Sequence, residues 1–550
     1  MIPSFIILVL SYFSIIGFSI LIKKSIFINK NNNINFYNFD FFYGISFIIL
    51  FASIINFFFP LKKFSIFFII LGLFFFLLYY RKVNFKFNIK IILILIFFFL
   101  FISANHNQIG DSAWYHLQNI KWVNDYKISF GLANLEPRFG YNSTFYVFLS
   151  AYNISIQNLQ TKYILSILFY SVFFCEAFFF KLSNFSQVFL FLSKIFLLTF
   201  SLIHPDVNGV LFNYIGSIET DNLIIFFYLI SIYLFINIKF GSYKKDDIYI
   251  LVLIILLSVT FKITALPLII FFFYIIYKFP IANKLKLLLL LIFFVWLSRG
   301  FIQSGCFIFP IKHTCFDVFW SIKQIDLDDF VNIAKSFPRS APTRIMAGDF
   351  YYTLYSFLWL ETWFYDYFVK ASMIRVLIII FFISLIAFLI SLLSNKNYYK
   401  NFIYNLNKIR LVFFILILSI IFWLQSPEIR YAGGQLISLI ILFFLLVYFS
   451  YIKGIVDFLK IKKLLGKFIF FLITLIILKN YFNIFYLNKY YTIEKNYDYS
   501  SFKLLNASNS NIYYNSDNNF CYDFKNICVL NKEKNYFFTK KNNYFFFYSY

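Results

Sequence analysis

Charged residues are scarce in this chain. Only 13% of its 550 residues are Asp, Glu, Lys or Arg, whereas 61% are hydrophobic, and the mean hydropathy is +0.77. No soluble domain of this length needs so much apolar surface. Apolar runs close to the length that crosses a bilayer recur along almost the whole sequence. The composition therefore predicts an all-α polytopic membrane protein.

The sequence also lacks the short motifs of several enzyme classes. It contains no P-loop, no Gly-rich dinucleotide motif, no Cys/His spacing typical of zinc and no nucleophile elbow. These absences argue against an ATP-driven pump and against a soluble-type hydrolase. The net charge of +25 is weak evidence for a nucleic-acid partner, and we predict none, because the position of the charges in the loops is more informative.

The apolar runs predict about fourteen membrane spans, which makes 13–14 transmembrane helices. They lie near residues 2–22, 41–59, 64–80, 91–104, 162–180, 187–203, 222–238, 248–261, 264–277, 287–300, 372–393, 411–425, 435–452 and 467–485. The first run is too long for a signal-peptide core and is interpreted as a retained helix. Residues 248–277 are too long for one span, and Lys262 and Pro267 in their middle predict a hairpin or a broken helix.

Basic residues predict the orientation of these spans. Lys and Arg clusters follow the first, third, seventh, ninth and eleventh spans and precede the last, so the positive-inside rule makes that side cytoplasmic. The loops 105–161, 204–221, 301–371 and 426–434 and both termini then lie outside.

The chain divides into six predicted regions. These are N-terminal spans (1–104), an outer loop with an interfacial helix (105–161), central spans (162–300), a second outer loop (301–371), C-terminal spans (372–485) and a small extracytoplasmic tail (486–550).

Four of the five cysteines form close pairs on the predicted outer side. Cys306 and Cys315 lie in the second outer loop, and Cys521 and Cys528 lie in the tail. Pairs in an oxidising compartment predict disulfides, and the short spacings favour 306–315 and 521–528. The alternative is that they are incidental thiols.

The first long polar interruption, residues 105–142, carries Asp111 and His116. Apolar residues after Asp111 recur at helical spacing, which predicts an amphipathic helix lying along the outer membrane surface. Asp111 is either the N-cap of this helix or a carboxylate that takes a proton from an acceptor hydroxyl. His116 either assists that reaction or is a packed histidine.

Further ionisable residues stand at the same predicted membrane face, where such residues are functional-site candidates. Glu219 and Asp221 either decorate a helix start or hold a divalent ion such as Mg²⁺ or Mn²⁺. Lys262, Arg299 and Arg430 are either snorkelling anchors or ligands for the phosphate of a lipid-linked substrate.

Several short segments carry a resemblance through their order. They are DSAWYH at 111–116, GLANL at 131–135, RFGYN at 138–142 with Arg138 and Asn142, SIETD at 217–221, FKITALP at 261–267, Arg299 followed by SGCFIFP at 304–310, PEIR at 427–430, and the two tail cysteines. Together they resemble an uncharacterised family of bacterial polytopic membrane proteins related to the GT-C class of integral-membrane glycosyltransferases. The chain departs from the commonest GT-C layout because three spans precede the one that leads into the acidic loop.

GT-C enzymes use polyprenyl-phosphate-linked sugars and keep an essential acid in the first long outer loop. The resemblance therefore implies Asp111 as general base assisted by His116, with Glu219 and Asp221 as supporting acids or metal ligands. It implies phosphate binding by Lys262, Arg299 or Arg430. The aromatic residues Trp320, Trp359 and Trp363 of the second outer loop either stack on sugars or form an interfacial belt.

We accordingly predict an inverting GT-C-like glycosyltransferase in the bacterial cytoplasmic (inner) membrane, active at its outer face. Its partners are the bilayer, a polyprenyl-phosphate sugar and a cell-envelope glycan or lipid acceptor. The alternatives are a flippase or transporter of lipid-linked glycans, for which Lys194 and Lys262 are the buried candidates, and a polymerase of such glycans.

Overall fold

The computed structural model consists mainly of helices, with small β-strands both between the N-terminal helices and towards the C-terminus. It describes residues 2–26, 34–103, 111–156, 159–176, 185–203, 218–241, 243–340, 349–365, 372–394 and 396–451, and in the tail 474–475, 478, 502–507, 510–515, 521, 524, 527–528, 537–542 and 544–548.

The helices follow one another along the described chain with few long connections. They are α1 (Ile2–Ile26), α2 (Phe41–Phe58), α3 (Ser65–Tyr79), α4 (Ile89–Ser103), α5 (Leu117–Asp125), α6 (Leu132–Leu135), α7 (Thr144–Ala151), α8 (Ser166–Cys175), α9 (Phe185–Ile203), α10 (Asp221–Lys239), α11 (Lys245–Phe261), α12 (Ile269–Lys278), α13 (Asn283–Ser304), α14 (Gln324–Arg339), α15 (Trp359–Phe364), α16 (Ser372–Ser394), α17 (Lys396–Trp423) and α18 (Ile429–Tyr451).

The strands form four small sheets. They are β1 (Ile34–Phe36), β2 (Val83–Phe85), β3 (Ser155–Ile156), β4 (Leu159–Gln160), β5 (Phe502–Ala507), β6 (Ser510–Asn515), β7 (Ile527–Cys528), β8 (Phe537–Lys541) and β9 (Tyr544–Tyr548). The first two pair in parallel, β3 pairs with β4, the order β5-β6-β7 forms a three-stranded sheet, and β8 with β9 forms a hairpin.

Eight helices among the described residues have the length and composition of membrane spans. They are Ile2–Ile26, Asn38–Phe58, Ser65–Lys82, Asp221–Lys239, Asn283–Ser304, Val376–Leu393, Tyr398–Trp423 and Arg430–Ser450. Four further apolar helices are shorter, and one of them, Ile89–Ser103, is about 22 Å long, less than the hydrocarbon core. This part of the chain is therefore built as a multi-pass helical protein. Apart from 474–475 and 478, which are helical, the predicted last span at 467–485 lies outside the described residues.

The N-terminal helices pack closely around small residues. Helix α1 packs on both α2 and α3. A Cβ at Gly17 would lie 1.9 Å from the carbonyl oxygen of Gly72, so only glycine permits this approach of α1 and α3. Lys23 at the end of α1 bonds Asp40 at 2.6 Å and Asp246 at 2.7 Å, which ties α1 to the starts of α2 and α11.

Helix α10 is the central element, because its whole span is buried inside the protein. It packs against α9, α11 and α18. Its first residue, Asp221, is therefore surrounded by protein at one end of the bundle.

The predicted break at Lys262 is present. Helix α11 ends at Phe261, and Lys262 has extended backbone with φ −155° and ψ 129°. A 3-10 turn, Ile263–Leu268, containing Pro267 then leads into α12, which packs back on α11. Proline lacks an N–H and cannot continue the preceding helix, which explains why the chain turns here.

The helix after Asp111 differs from its prediction. A π-helical turn, Ser112–His116, leads into α5, which is buried along most of its length rather than lying open on a surface. The polar face is covered because Lys121 Nζ donates to the carbonyl of Phe524 at 2.5 Å and Gln118 Nε2 donates to that of Cys521 at 3.4 Å. The polar face of α5, which the sequence pattern predicted to face solvent, is therefore covered by the tail.

The tail docks onto the first long loop through backbone and ring contacts. Phe130 donates its N–H to the carbonyl of Phe545 at 2.8 Å and accepts from the N–H of Phe547 at 2.9 Å. The Trp122 ring lies edge-on to the rings of Phe545 and Phe547. Gly131 has φ +65°, and a Cβ there would lie 2.2 Å from the carbonyl oxygen of Phe547, so this contact requires glycine.

Both cysteine pairs favoured by the spacing are disulfides in the structure. Cys306 bonds Cys315 at the end of α13, and Cys521 bonds Cys528 beside β7. Cys175 is a buried thiol. The second disulfide closes the loop that contacts α5.

Candidate functional site

Four of the predicted ionisable residues meet at one end of the helix bundle. Arg430 Nη1 lies 2.7 Å from Asp111 Oδ2, and Arg430 Nε lies 3.8 Å from Asp221 Oδ2. Lys262 Nζ forms an ion pair with Asp221 Oδ1. We call Asp111, Arg430, Asp221 and Lys262 the charge network, because acid and base alternate along it.

Helix ends bring these side chains together. Asp221 opens α10, where the positive end of the helix dipole favours a carboxylate. Arg430 stands in the first turn of α18, where the same dipole disfavours a cation, so the two carboxylates offset that cost. Lys262 projects from the break between α11 and the 3-10 turn.

The network is largely withdrawn from solvent. The exposed side-chain fractions are 7% for Asp221, 16% for Arg430, 19% for Asp111 and 23% for Lys262. In such surroundings removing one partner leaves an uncompensated charge, which costs more than the pair itself contributes.

Asp111 does not cap its helix. Its side chain makes no capping hydrogen bond to the following turn and instead contacts Arg430. Burial raises the pKa of this carboxyl, but the Arg430 guanidinium, with a smaller effect from Arg138, lowers the pKa by more, so that it lies below the ordinary value. Asp111 is thus held ionised and paired with Arg430 rather than with the backbone of the following turn.

Two buried groups beside the network are uncharged at neutral pH. Burial lowers the pKa of His116 to about 3, although Asp111 opposes the shift. Burial also raises the pKa of Glu219 to about 8. The positive charge of Arg430 opposes this rise, and the negative charge of Asp221 adds to it. Nδ1 of His116 has no hydrogen-bond partner among the described residues. The site therefore combines an ionised acid, a protonated acid and a neutral imidazole.

Tyrosines surround the charges, and the sequence analysis did not select them. The Tyr115 ring lies 4.2 Å from the His116 ring, and Tyr146 lies 5.4 Å from it on another helix. Lys262 Nζ lies 4.1 Å from the centroid of Tyr431. Among 43 tyrosines composition could not mark these, but Tyr115 and Tyr431 directly adjoin His116 and Arg430 in the chain.

Arg138 belongs to the edge of this site. Its guanidinium lies 5.0 Å from the Trp114 ring and 5.6 Å from the Tyr115 ring, and its charge also lowers the pKa of Asp111. Glu136, at 3.7 Å, is its carboxylate neighbour.

Arg299 and Asn142 hold the scaffold and do not join the network. Arg299 Nη1 donates to Asn56 Oδ1 at 2.9 Å, and Asn56 in turn donates to the carbonyl of Val123 at the end of α5. Asn142 Nδ2 donates to the carbonyl of Trp296 at 2.7 Å, and Trp296 Nε1 returns a bond to the carbonyl of Asn142. Arg299, predicted as one of three possible phosphate ligands, is in the structure a buried link between α13, α2 and α5, apart from the charge network.

The tryptophans predicted either to stack on sugars or to form an interfacial belt lie in two other places. The Trp320 ring packs edge-on to Phe130 beside the tail. Trp363 packs on Trp423, and its Nε1 donates to the carbonyl of Pro427 at 2.9 Å. Trp363 therefore braces the turn that leads into Arg430 rather than forming a wall of the network.

The acids are poorly arranged for a divalent metal. No group of three or more His, Cys, Asp or Glu side chains that could hold a metal occurs within the described ranges. Both oxygens of Asp221 face cations, Lys262 and Arg430. Mg²⁺ and Mn²⁺ prefer several oxygen ligands free of competing cations, so the donor set does not fit them.

Comparison with known proteins identifies a family. No curated protein and no solved structure matches this chain. The model of the DUF8201 family, described as a domain of unknown function, matches residues 1–437 and so covers the entire charge network but not the tail. The chain therefore belongs to the DUF8201 family.

Proposed function

We propose that this protein is a GT-C-like membrane glycosyltransferase that moves a sugar from a polyprenyl-phosphate donor to a hydroxyl of a cell-envelope glycan or lipid at the outer face of the cytoplasmic membrane. The observation that carries the proposal is the charge network. It holds an ionised carboxylate beside two cations at the ends of membrane-spanning helices, where a lipid-linked phosphate would arrive.

Arg430 and Lys262 would bind the donor phosphate. An arginine fork matches phosphate oxygens, and a lysine adds a compact charge. Both cations are now paired with carboxylates, so an entering phosphate competes for them and releases Asp111 from Arg430. The carboxylates thereby keep the cations positioned until the donor binds.

The released Asp111 would act as general base. The acceptor oxygen attacks the sugar carbon that carries the phosphate, and its proton passes to the Asp111 carboxylate. The bond from that carbon to the phosphate oxygen breaks, and its electron pair stays on the phosphate, where Arg430 and Lys262 stabilise the negative charge. Attack from the face opposite the leaving group inverts the sugar carbon.

The neutral groups would orient the sugar. Protonated Glu219 can donate a hydrogen bond to a sugar hydroxyl, and neutral His116 can accept one. The rings of Tyr115, Tyr146 and Tyr431 offer flat apolar surfaces to the sugar. No step requires a metal, in keeping with the donor set at Asp221.

The test is transfer by the purified protein from polyprenyl-phosphate glucose or mannose to extracted envelope lipids. Asp111→Asn should lower the turnover rate by about 10³-fold or more while the protein stays folded, since general-base catalysis contributes 10²–10⁴-fold. Asp328→Asn, which removes an exposed carboxylate paired with Lys312, is the matched control and should leave transfer unchanged. Unchanged transfer in Asp111→Asn would refute the assignment of the base.

A carrier for lipid-linked glycans is the second candidate, because Lys194 is fully buried in the apolar helix α9. A carrier would form no transfer product but would move labelled donor across vesicles. Movement that depends on Lys194 and not on Asp111 would favour the carrier over the enzyme.

A further inference from the structure

Three lysines gather at the predicted cytoplasmic end of the bundle, away from the charge network. Lys239 ends α10, Lys278 ends α12, and Lys408 lies in the first half of α17. Within the described part of the chain none of the three has a carboxylate within ion-pair distance. Their charge is therefore available to an external anion.

The hydroxyl oxygen of Tyr274 is the acceptor shared by two of these lysines. Lys239 Nζ donates to the hydroxyl of Tyr274, and Lys278 Nζ donates to the same oxygen at 3.3 Å. Lys408 Nζ lies 4.7 Å from the ring of Phe240, the residue that follows Lys239. Two ammonium groups from different helices thus converge on one phenol oxygen, and phosphate oxygens would be stronger acceptors for both of them.

The surface next to these lysines suits acyl chains. On α12, Phe273 is 63% exposed and Tyr277 is 93% exposed. An apolar helix face that leads to a group of cations without carboxylate partners is complementary to a phospholipid. The acyl chains would lie along the helix, and the phosphate would lie at its end. Basic pockets between transmembrane helices on the cytoplasmic side bind anionic headgroups in this manner.

We propose that Lys239 and Lys278, which now share the Tyr274 hydroxyl, form with Lys408 beside them a binding site for the phosphate of an anionic phospholipid. The site is separate from the charge network and does not depend on the proposed transferase activity. On binding, the two lysines exchange the Tyr274 oxygen for phosphate oxygens, and the acyl chains lie against Phe273 and Tyr277.

The experiment is native mass spectrometry of the full-length protein released from nanodiscs that contain equal amounts of phosphatidylglycerol and phosphatidylcholine. The native protein should retain phosphatidylglycerol, and Lys239→Gln/Lys278→Gln should lower its affinity roughly 30-fold, the value expected for two lysines at a membrane surface. Lys62→Gln/Lys63→Gln removes the same charge between α2 and α3 and should not change retention.

A second variant keeps the proposal falsifiable if the double variant folds poorly. Tyr274→Phe frees both lysines from the phenol oxygen and should bind phosphatidylglycerol at least as tightly as the native protein. Weaker binding in Tyr274→Phe, or equal losses in the two lysine double variants, would overturn the site. Displacement of the lipid by millimolar inorganic phosphate would also overturn it, because it would show a free-anion site.

Discussion

At the scale of residues, each charged side chain of the charge network contacts an oppositely charged neighbour. Arg430 contacts the carboxylates of both Asp111 and Asp221, and its positive charge offsets the repulsion between them. The network is therefore both a candidate catalytic group and a stabilising contact among α5, α10 and α18.

This dual role predicts a coupling between Arg430 and Asp111. Arg430→Gln should lower the free energy of unfolding by about 3–5 kcal/mol, because it leaves the largely buried Asp111 carboxylate without its ion-pair partner, while Asp221 keeps only Lys262. Adding Asp111→Asn should restore part of that loss, whereas independent sites would show additive losses. Unfolding in a denaturant titration measures both. Lys312→Gln, at an exposed pair, should change stability by less than about 1 kcal/mol.

Glu219 and His116 predict a defined dependence of stability on pH. The folded pKa of Glu219, about 8, lies above its ordinary value of 4.5, so its contribution is present at low pH and is lost as pH rises towards 8. The folded pKa of His116, about 3, lies below 6.5, so its contribution is lost as pH falls below 6.5. The two oppose each other between 4.5 and 6.5, and only Glu219 acts above that range.

We therefore expect the melting temperature to fall between pH 6.5 and pH 8 and this fall to become smaller in Glu219→Gln. Arg430, Asp221, Asp111 and Lys262 are the charged side chains that act on Glu219. Glu361→Gln, at an exposed position, is the control. An unchanged slope in Glu219→Gln would show that Glu219 is already ionised in the fold.

The residues of the network could be selected from the sequence because a charge in an apolar chain is conspicuous. Asp111, Asp221, Lys262 and Arg430 each interrupt or flank a long apolar run. Tyr115, Tyr146 and Tyr431 could not, because tyrosine is a common residue here and its ring is compatible with lipid, core and ligand alike.

At the scale of elements, the contact between α5 and the tail is the feature that most affects the site. Helix α5 follows directly from Asp111 and His116, and its Trp122 packs on Phe545 and Phe547 of β9. The DUF8201 match covers α5 and the charge network and ends at residue 437, so the tail that contacts α5 lies outside the matched residues.

Loss of this contact should release the tail. Trp122→Ala should destabilise the protein by about 3–5 kcal/mol, the usual result of truncating a buried tryptophan. Limited proteolysis should then cleave the tail first, and transfer activity should fall without any change at Asp111. Phe357→Ala, at a residue that is 82% exposed, should have neither effect. A tail equally protected in Trp122→Ala would contradict this role.

The break at Lys262 shows which kind of element can be predicted from neighbouring residues in the sequence. Proline removes a backbone donor and a lysine between apolar residues disfavours the middle of a span, so two local signals coincide there. The burial of α5 had no local signal, since its polar face is amphipathic by pattern and is covered only by residues about 400 positions later, such as Cys521 and Phe524.

At the scale of the whole molecule, the sequence predicts that the charge network lies outside and the lysine site inside. Single-cysteine labelling tests this in a Cys175→Ser background, in which the other native cysteines are paired in disulfides. Lys312→Cys should react with a membrane-impermeant maleimide on intact cells, and Lys86→Cys should react only after permeabilisation. Both positions are exposed. The reverse pattern would invert the topology and contradict an outer-face activity.

The sequence by itself determined the membrane class, the break at Lys262, the cysteine pairs and most of the charged candidates. Each of these depends on hydropathy, local backbone chemistry or short spacing. Only the tertiary structure decided that Asp111, Arg430, Asp221 and Lys262 meet while Arg299 bonds Asn56. It also decided that eight of the described helices have full spanning length and that the tail covers α5. The physical reason is that an apolar surface is satisfied equally by lipid and by another helix, so hydropathy does not specify which helix ends adjoin.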